Sequence, residues 1–340
     1  MNVADGAAVG TTARAAPRPR AVWGATDLAL LGLLVVLPWV LRAAGSYTAL
    51  GTYILVWGLA AMGLNLLLGY AGHVSFGHAA FLGTGAYVAG LTIKWLAPST
   101  LLAVVAGWAG ATLVAMVLGL LVTRLRGIYF STFTIVFSQL LYFIAFQWNE
   151  VTGGDDGLRG FARQPIHLGP VTLDVPKNET TYYFVVLAVF VASVALMRLI
   201  VESPLGHSWV ALRENPVRAR FLGLPVERHL WLALVVSASF TGVAGALLAL
   251  LINFAQPSML HWTTSGELVM MAFLGGRQSF YGPLLGAALF RILEELLSSY
   301  TESWMFVLGL LFILAVLFFP RGLAGLFEGR RRTHGRAAGG

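Results

Sequence analysis

The chain has 340 residues, of which 58% are hydrophobic and 11% charged, and its mean hydropathy is +0.78. A soluble globular domain carries roughly 25% charged residues, so this composition excludes a water-facing surface of ordinary size. Cysteine is absent, which excludes disulfides and cysteine-ligated metals. The net charge of +7 comes from arginines dispersed between apolar runs. That distribution is typical of membrane topology signals and not of nucleic-acid binding.

In chain order, a basic segment over residues 1–24 comes first; it lacks the apolar core of a cleavable signal and is expected to be a disordered cytoplasmic tail. Ten apolar segments then have the composition of membrane-spanning helices, which need about 20 residues each. They are residues 28–43, 48–69, 76–95, 100–123, 128–146, 181–201, 230–252, 266–278, 283–297 and 303–319. The sequence therefore predicts an all-α polytopic membrane protein with about ten transmembrane helices.

Positive charge orients these spans. With ten crossings, the arginine-rich segments 1–24, 124–127, 202–229 and the basic tail 328–340 all fall on one side. Cytoplasmic loops carry the excess of Lys and Arg, so this side and both termini are predicted to be cytoplasmic. The loop 147–180, richer in acidic than in basic residues, is then extracytoplasmic. A re-entrant loop in place of the third span would reverse the position of 202–229, against the rule.

Residues 69–90 read GYAGHVSFGHAAFLGTGAYVAG and place glycines and polar residues among apolar spans. The glycines can serve close helix packing, which relies on small residues in lipid. Alternatively, the segment is a broken helix whose N-terminal amides face a substrate path, with Ser75 as its cap. Under the second interpretation the candidate pathway residues are Asn65, Ser75, Phe76, Gly77 and His78.

Two further features of the chain bear on these alternatives. His73 and His78 are five residues apart, which does not place them on one helix face, so no metal site is expected there. A second glycine-containing break, GGRQSFYGP at 275–283, occurs late in the chain. Paired interruptions of this kind are found in transporters built from internal repeats.

Residues 203–229 form the longest predicted cytoplasmic loop, and apolar residues alternate in it with charged ones. This pattern predicts one or two short amphipathic helices, broken at Pro216 and ended near Gly223. Such helices either rest on the membrane interface or dock into a soluble partner through their apolar face. Composition alone leaves both possibilities open.

Five stretches of the chain resemble LivM-type permeases of branched-chain amino acid ABC importers, in the order found in that family. They are GLNLLLGYAGHVSFGHAAFLGTGAY (63–87), RGIYFSTFTIVFSQLLY (126–142), TGGDDGLRG (152–160), ALRENPVRARFLGLPV (211–226) and PRGLAGLF (320–327). The resemblance implies a type II-like importer permease domain over residues 25–327, and no cofactor. It also implies three kinds of partner: two ABC ATPases, a homologous LivH-type permease and an extracytoplasmic amino-acid-binding protein.

The loop 203–229 is in addition similar to the EAA-type coupling loop of ABC importer permeases, although the literal EAA motif is absent. This similarity implies that the loop contacts the ATPase. The candidate coupling residues are Arg213, Glu214, Arg218 and Gly223.

The function that the resemblance implies is movement of branched-chain amino acids across the bacterial inner membrane, driven by ATP hydrolysis on separate subunits. Urea or another small amphipathic solute is the alternative substrate, because urea-import permeases share the layout. The chain has two lysines, Lys94 and Lys177, and neither lies in a P-loop. It also has no GxSxG nucleophile elbow. The chain is therefore not expected to be an enzyme. An ion-coupled secondary transporter would need ionisable residues within its spans. Arg291, Glu294 and Glu295 are the candidates, interpreted as an internal ion pair or as residues placed near the outer interface.

Overall fold

A computed structural model of the chain describes residues 25–43, 45–125, 127–168, 171–176, 178–318 and 322–325. The tails predicted over 1–24 and 328–340 lie outside the described residues. The described part forms thirteen α-helices, numbered α1 to α13. In chain order they are Ala25–Ala43, Thr48–Asn65, His78–Leu91, Thr100–Val122, Ile128–Gln147, Asn149–Thr152, Glu179–Glu202, Pro204–Glu214, Pro216–Phe221, Val226–Ile252, Trp262–Gly275, Gly282–Ser298 and Trp304–Phe318.

Short elements extend or connect these helices: π-helical turns at Leu66–Tyr70 and Thr92–Leu96, and 3-10 turns at Gly154–Asp156 and Pro257–Leu260. The long loop, residues 148–178, carries two strands, β1 (Ile166–Leu168) and β2 (Val171–Leu173). They pair antiparallel, with Leu168 opposite Val171. Because the strand pair belongs to the loop and the bundle is helical, the predicted all-α class is confirmed.

Contacts between helix ends define two ends of the bundle. At the long-loop end, the Thr100 hydroxyl at the start of α4 donates to the Gln164 carbonyl of the long loop (2.7 Å). At the opposite end, called the α8 end, the Arg213 guanidinium of α8 donates to the Gly69 carbonyl at the end of α2. Helix α7 joins the two, because it begins after the long loop and ends directly before α8.

The described chain passes between these ends ten times, in agreement with the predicted number of about ten. Seven passes use helices that are long and apolar enough to cross a membrane by length and composition: α1, α2, α4, α5, α7, α10 and α13. The other three use the shorter helices α3, α11 and α12. Segment 71–99 leaves α2 at the α8 end and reaches α4 at the long-loop end, so it crosses the bundle once. Helix α3, extended by the π-helical turn Thr92–Leu96, completes this pass together with the non-helical residues that precede it.

Helices α2 and α10 form the centre of the bundle. Buried residues make up 94% of the apolar stretch of α2 and 78% of that of α10, against 33% for α4 and 22% for α5. A helix that is apolar on all sides belongs in an interior. The peripheral helices expose leucine, valine and phenylalanine side chains, as a lipid-facing surface requires.

Glycines allow α3 to pack with its backbone directly against α10 and α4. A Cβ atom at Gly85 would overlap the carbonyl of Gly242, and a Cβ at Gly245 would overlap the carbonyl of Leu82. A Cβ atom at Gly107 of α4 would also come too close to the Gly85 carbonyl, at 2.6 Å. Close approach of this kind drives helix association in membranes, where lipid tails are as apolar as leucine. Helix packing, the first of the two explanations for the glycines of residues 69–90, is therefore what Gly85 serves.

Candidate functional site

The polar segment between α2 and α3 runs through the bundle beside α5 as non-helical backbone. The Ser131 hydroxyl donates to the Val74 carbonyl (2.7 Å), and the Thr134 hydroxyl accepts the Phe76 amide (3.2 Å). Irregular backbone survives at membrane depth only where protein or water satisfies its polar groups, and α5 supplies those partners here. Helix α3 consequently begins inside the bundle, as a broken helix does.

The start of α3 differs from the prediction that Ser75 caps it. The helix begins at His78, and its N-cap is Gly77, which provides no side chain. The Ser75 hydroxyl accepts the Gly77 amide (3.2 Å) and so stabilises the turn before the helix. The hydroxyl that accepts an amide of the first turn comes from α11 instead, where Ser265 Oγ accepts from Ala79 N (2.8 Å). The capping expectation for Ser75 was therefore wrong, because a residue distant in sequence supplies the acceptor.

His78 is fully buried and joins three helices. The Ser237 hydroxyl of α10 donates to the Gly63 carbonyl of α2 (2.6 Å), so Ser237 Oγ accepts from His78 Nε2 (2.6 Å). His78 Nε2 then carries the proton, and Nδ1 accepts from Ser75 Oγ (3.0 Å). Both ring nitrogens are thus used inside the chain. Among the described residues, no group of three or more His, Asp or Glu side chains could hold a metal ion.

The two glycine-containing breaks noted in the sequence meet at the α8 end. A Cβ at Gly69 would overlap the carbonyl of Arg277, so the end of α2 packs directly on the turn between α11 and α12. Asn65 lies one helical turn before Gly69 and is 2% exposed. Its side-chain oxygen has no hydrogen-bond partner among the described residues. Asn65 therefore leaves an unused acceptor at the junction of the two breaks.

A second broken crossing runs from α10 to α11. Asn253, with a φ of 53°, ends α10, and Leu158 of the long loop pairs with Ala255 through N–H···O bonds of 2.7 and 3.2 Å. The chain then continues into the bundle as far as Leu260. The Leu260 carbonyl accepts a hydrogen bond from Ser138 Oγ in the middle of α5 (2.7 Å). The next residues open α11, four residues earlier than predicted. Both α3 and α11 thus begin beside the middle of α5.

A polar and aromatic surface adjoins these two helix starts. It consists of Gln139, Tyr142, His261, Trp262 and Thr263, and is called the α5–α11 face. The Tyr142 and His261 rings meet edge to face at 5.2 Å, and Trp262 is 41% exposed. The side-chain oxygen of Gln139 is buried beneath this face and has no hydrogen-bond partner among the described residues. Polar groups at membrane depth face a protein partner or water and not lipid.

The α5–α11 face was not predicted from the sequence, although the sequence holds one indication of it. Gln139 places a side-chain amide in the middle of the uncharged span α5, where an amide needs a polar partner. The remaining members come from the start of α11, and only the tertiary contact with α5 brings them to Gln139.

The loop 203–229 folds into the two amphipathic helices that its pattern predicts. Ser203 caps α8 by accepting the Leu205 amide (3.2 Å), and Asn215 caps α9 by accepting the Arg218 amide (2.9 Å). Each helix has proline in its first turn, where no amide is needed. Trp209 is fully buried under α8 and anchors the pair to the bundle.

The four predicted coupling residues occupy different positions in this element. Arg213 is exposed as a residue, but its guanidinium donates to the Gly69 carbonyl and its side chain packs on Gly72. Glu214 and Arg218 are exposed. Gly223 ends α9 with a φ of 85°, which allows the Leu224 amide to bond the Ala219 carbonyl (3.1 Å).

An apolar surface, called the α9 patch, lies beside these residues. Its members are Val217, Phe221 and Leu222, exposed by 57%, 88% and 76%. Exposed apolar side chains on a short basic helix favour docking against a membrane surface or a protein.

The charged residues of α12 are paired. Arg291 contacts Glu294 at 2.5 Å and Glu267 of α11 at 3.3 Å, and its guanidinium lies 3.9 Å from the Trp57 ring centre. Glu295 instead accepts a hydrogen bond from Tyr47 (2.8 Å). The interpretation of Arg291 and Glu294 as an internal ion pair is confirmed, and Glu267 is the partner that the sequence did not reveal.

Comparison with known proteins identifies the family of this chain. A family model described as the permease component of branched-chain amino acid transport systems matches residues 46–316. The chain belongs to this family. The resemblance found in the sequence is thereby confirmed, and the chain is a multi-pass membrane permease of the branched-chain amino acid ABC transport type.

Relatives with curated names agree with this assignment. The LivM permease protein of Escherichia coli K12 is 28% identical over 334 residues, which cover 92% of this chain and 78% of the relative. The LivM protein of Salmonella typhimurium is 27% identical over 87% of this chain and 74% of its own length. The LivH permease protein of Escherichia coli K12 is 28% identical over 78% of this chain and 90% of its own length. No solved structure shows a significant match.

Proposed function

We propose that this chain is the membrane-spanning subunit of an importer that carries branched-chain amino acids across the bacterial inner membrane, with ATP hydrolysis on separate subunits. The family assignment and the LivM and LivH relatives support this proposal. The observation that carries it is the attachment of α8 to the break between α2 and α3, through Arg213. An exposed element fastened to the backbone of an interrupted span is suited to transmit force from a soluble motor.

The proposed coupling route starts at the α9 patch, which docks into an ABC ATPase, while Glu214 and Arg218 add polar contacts at its rim. Displacement of α8 pulls on Gly69 and Gly72 through Arg213. From there the non-helical segment 71–77 connects directly to α3. Since Gly69 also touches the Arg277 carbonyl, the same displacement reaches α11 and α12. Rigid segments with two arrangements are the physical basis of such coupling.

We assign the substrate path to the α5–α11 face, which a homologous LivH-type permease covers. The N-termini of α3 and α11 both open toward the middle of α5, and helix N-termini carry partial positive charge that favours a carboxylate. The Gln139 oxygen, buried and without a hydrogen-bond partner among the described residues, becomes an acceptor for an ammonium group when the path opens. Asn65, Ser75, Phe76, Gly77 and His78, the pathway residues predicted from sequence, support the α3 break from behind this face.

The proposed orientation places the α8 end in the cytoplasm with both termini. The long loop then faces outward, where a loaded amino-acid-binding protein docks and delivers its substrate. Segments 1–24 and 328–340 act as basic cytoplasmic tails around the permease domain 25–327. No cofactor is needed, because the ATPases supply the energy.

Uptake measurements test the proposal. A strain that lacks this chain is expected to lose import of labelled leucine in competition with isoleucine and valine, and the wild-type chain restores it. Gln139→Leu lowers the restored rate, whereas Gln147→Leu, the same change at the exposed end of α5, does not. Loss of urea import with leucine import intact would instead support the alternative substrate. Purification of an active chain without any ATPase would refute the ABC mechanism in favour of an ion-coupled transporter.

A further inference from the structure

A groove between α11, α12 and α13 lies outside the coupling and pathway surfaces. It encloses about 190 Å³, and every side chain that lines it is apolar. Phe273 belongs to α11, Leu289 and Leu293 to α12, and Leu308, Phe312 and Ala315 to α13. Because α11 and α12 run antiparallel through the bundle and α13 lies beside them, the groove extends along the membrane normal.

Among the described residues, the cation at the α8 end of this groove is Arg277. The Arg277 guanidinium is exposed and lies 5.4 Å from the ring centre of Phe273, a groove residue. The contact between the Arg277 carbonyl and Gly69 fixes this residue at the end where α2 terminates. Gly322, which follows α13, packs against Gly276, so both walls of the groove converge near Arg277.

Arg277 takes part in none of the ion pairs formed among the described residues. A guanidinium presents a rigid set of donors that matches phosphate oxygens. At the membrane surface, an unpaired arginine next to an apolar groove therefore offers a headgroup contact directly above space for a lipid tail.

We propose that this groove binds an anionic phospholipid, with one acyl chain along α13 and its phosphate on Arg277. The tail provides no selectivity, since lipid tails and leucine side chains are equally apolar. Selectivity comes from the headgroup, and one basic residue near an anionic surface changes relative affinity about five-fold. The lipid would then brace α13 against the turn that touches the end of α2.

The test uses the assembled transporter, stripped of lipid in neutral detergent and re-supplied with equal amounts of phosphatidylglycerol and phosphatidylcholine of identical chains. Native mass spectrometry gives the ratio of the two lipids retained. The wild type is expected to prefer phosphatidylglycerol about five-fold. Arg277→Gln removes the preference, while Arg124→Gln, the same change at an exposed α8-end site away from the groove, keeps it.

A second pair of variants tests the groove itself. Ala315→Phe fills the space and reduces the retained phosphatidylglycerol, whereas Gly309→Phe adds the same ring to open space on α13 and leaves it unchanged. Equal retention of the two lipids by the wild type, or a preference that survives Arg277→Gln, overturns the proposal. A preference unaffected by Ala315→Phe also overturns it, and would point to a segment of a partner subunit as the occupant of the groove.

Discussion

The link between the starts of α3 and α11 can be tested by Ser265→Ala. Ser265 is fully buried, and its hydroxyl accepts the Ala79 amide at 2.8 Å. The alanine variant leaves that amide buried without a partner, which costs about 1–3 kcal/mol. For a chain of this size we expect the unfolding temperature of the purified transporter to fall by about 2–6 °C.

Ser239→Ala is the matched control for this experiment. Ser239 makes its hydrogen bond to the Val236 carbonyl of its own helix (2.7 Å), so its loss leaves no orphaned donor and changes stability by about 0.5 kcal/mol or less. Thermal unfolding in detergent, followed by tryptophan fluorescence, compares the two variants. Equal unfolding temperatures for Ser265→Ala and Ser239→Ala would refute the claim that Ser265 stabilises the start of α3.

Three further predictions test the proposed coupling role of α8 and α9 and the proposed topology. Gly223→Ala places a side chain on a residue with a φ of 85° and should destabilise the end of α9 by about 1 kcal/mol. We expect ATP hydrolysis to continue while uptake falls. Gly309→Ala, a change within a regular helix, should leave both hydrolysis and uptake unchanged. Phe221→Asp should abolish co-purification of the ATPase without lowering the unfolding temperature, because the side chain is 88% exposed; retained ATPase would refute the role of the α9 patch. In intact cells, an impermeant thiol reagent should label Asp156→Cys but not Arg218→Cys, with no background because the chain lacks cysteine; the reverse would invert the topology.

Several structural features could be predicted because their causes are local. The span predicted over 128–146 appears as Ile128–Gln147, since a long uncharged run has one stable conformation in lipid, the helix. The break of the loop helices at Pro216 also follows from one residue, because proline begins a helix and cannot continue one. Gly223 ends α9 because glycine readily adopts a left-handed backbone conformation. Its position shortly after the apolar pattern of α9 was enough to predict this helix end.

Other features could not be predicted because their causes lie far apart in the chain. The acceptor for the Ala79 amide is Ser265, so the true start of α3 depends on how α11 packs. The start of α11 at Trp262 depends in turn on a cap by His261 and on the position of Leu260 beside α5. The preference of serine for helix N-caps predicted Ser75 as the cap of α3. The contact with Ser265 of α11 supplies the acceptor instead.

The sequence by itself thus determined that the chain is a helical membrane protein, which segments are apolar enough to cross, where the two short helices of loop 203–229 lie and which family it resembles. Hydropathy, charge placement and turn residues determine these features because they act over short distances. Only the tertiary structure decided that two broken spans begin side by side at the middle of α5 and that Arg213 joins α8 to one of them. Those arrangements arise from hydrogen bonds and glycine contacts between residues far apart in the chain, and in lipid such bonds must form wherever backbone is left without a partner.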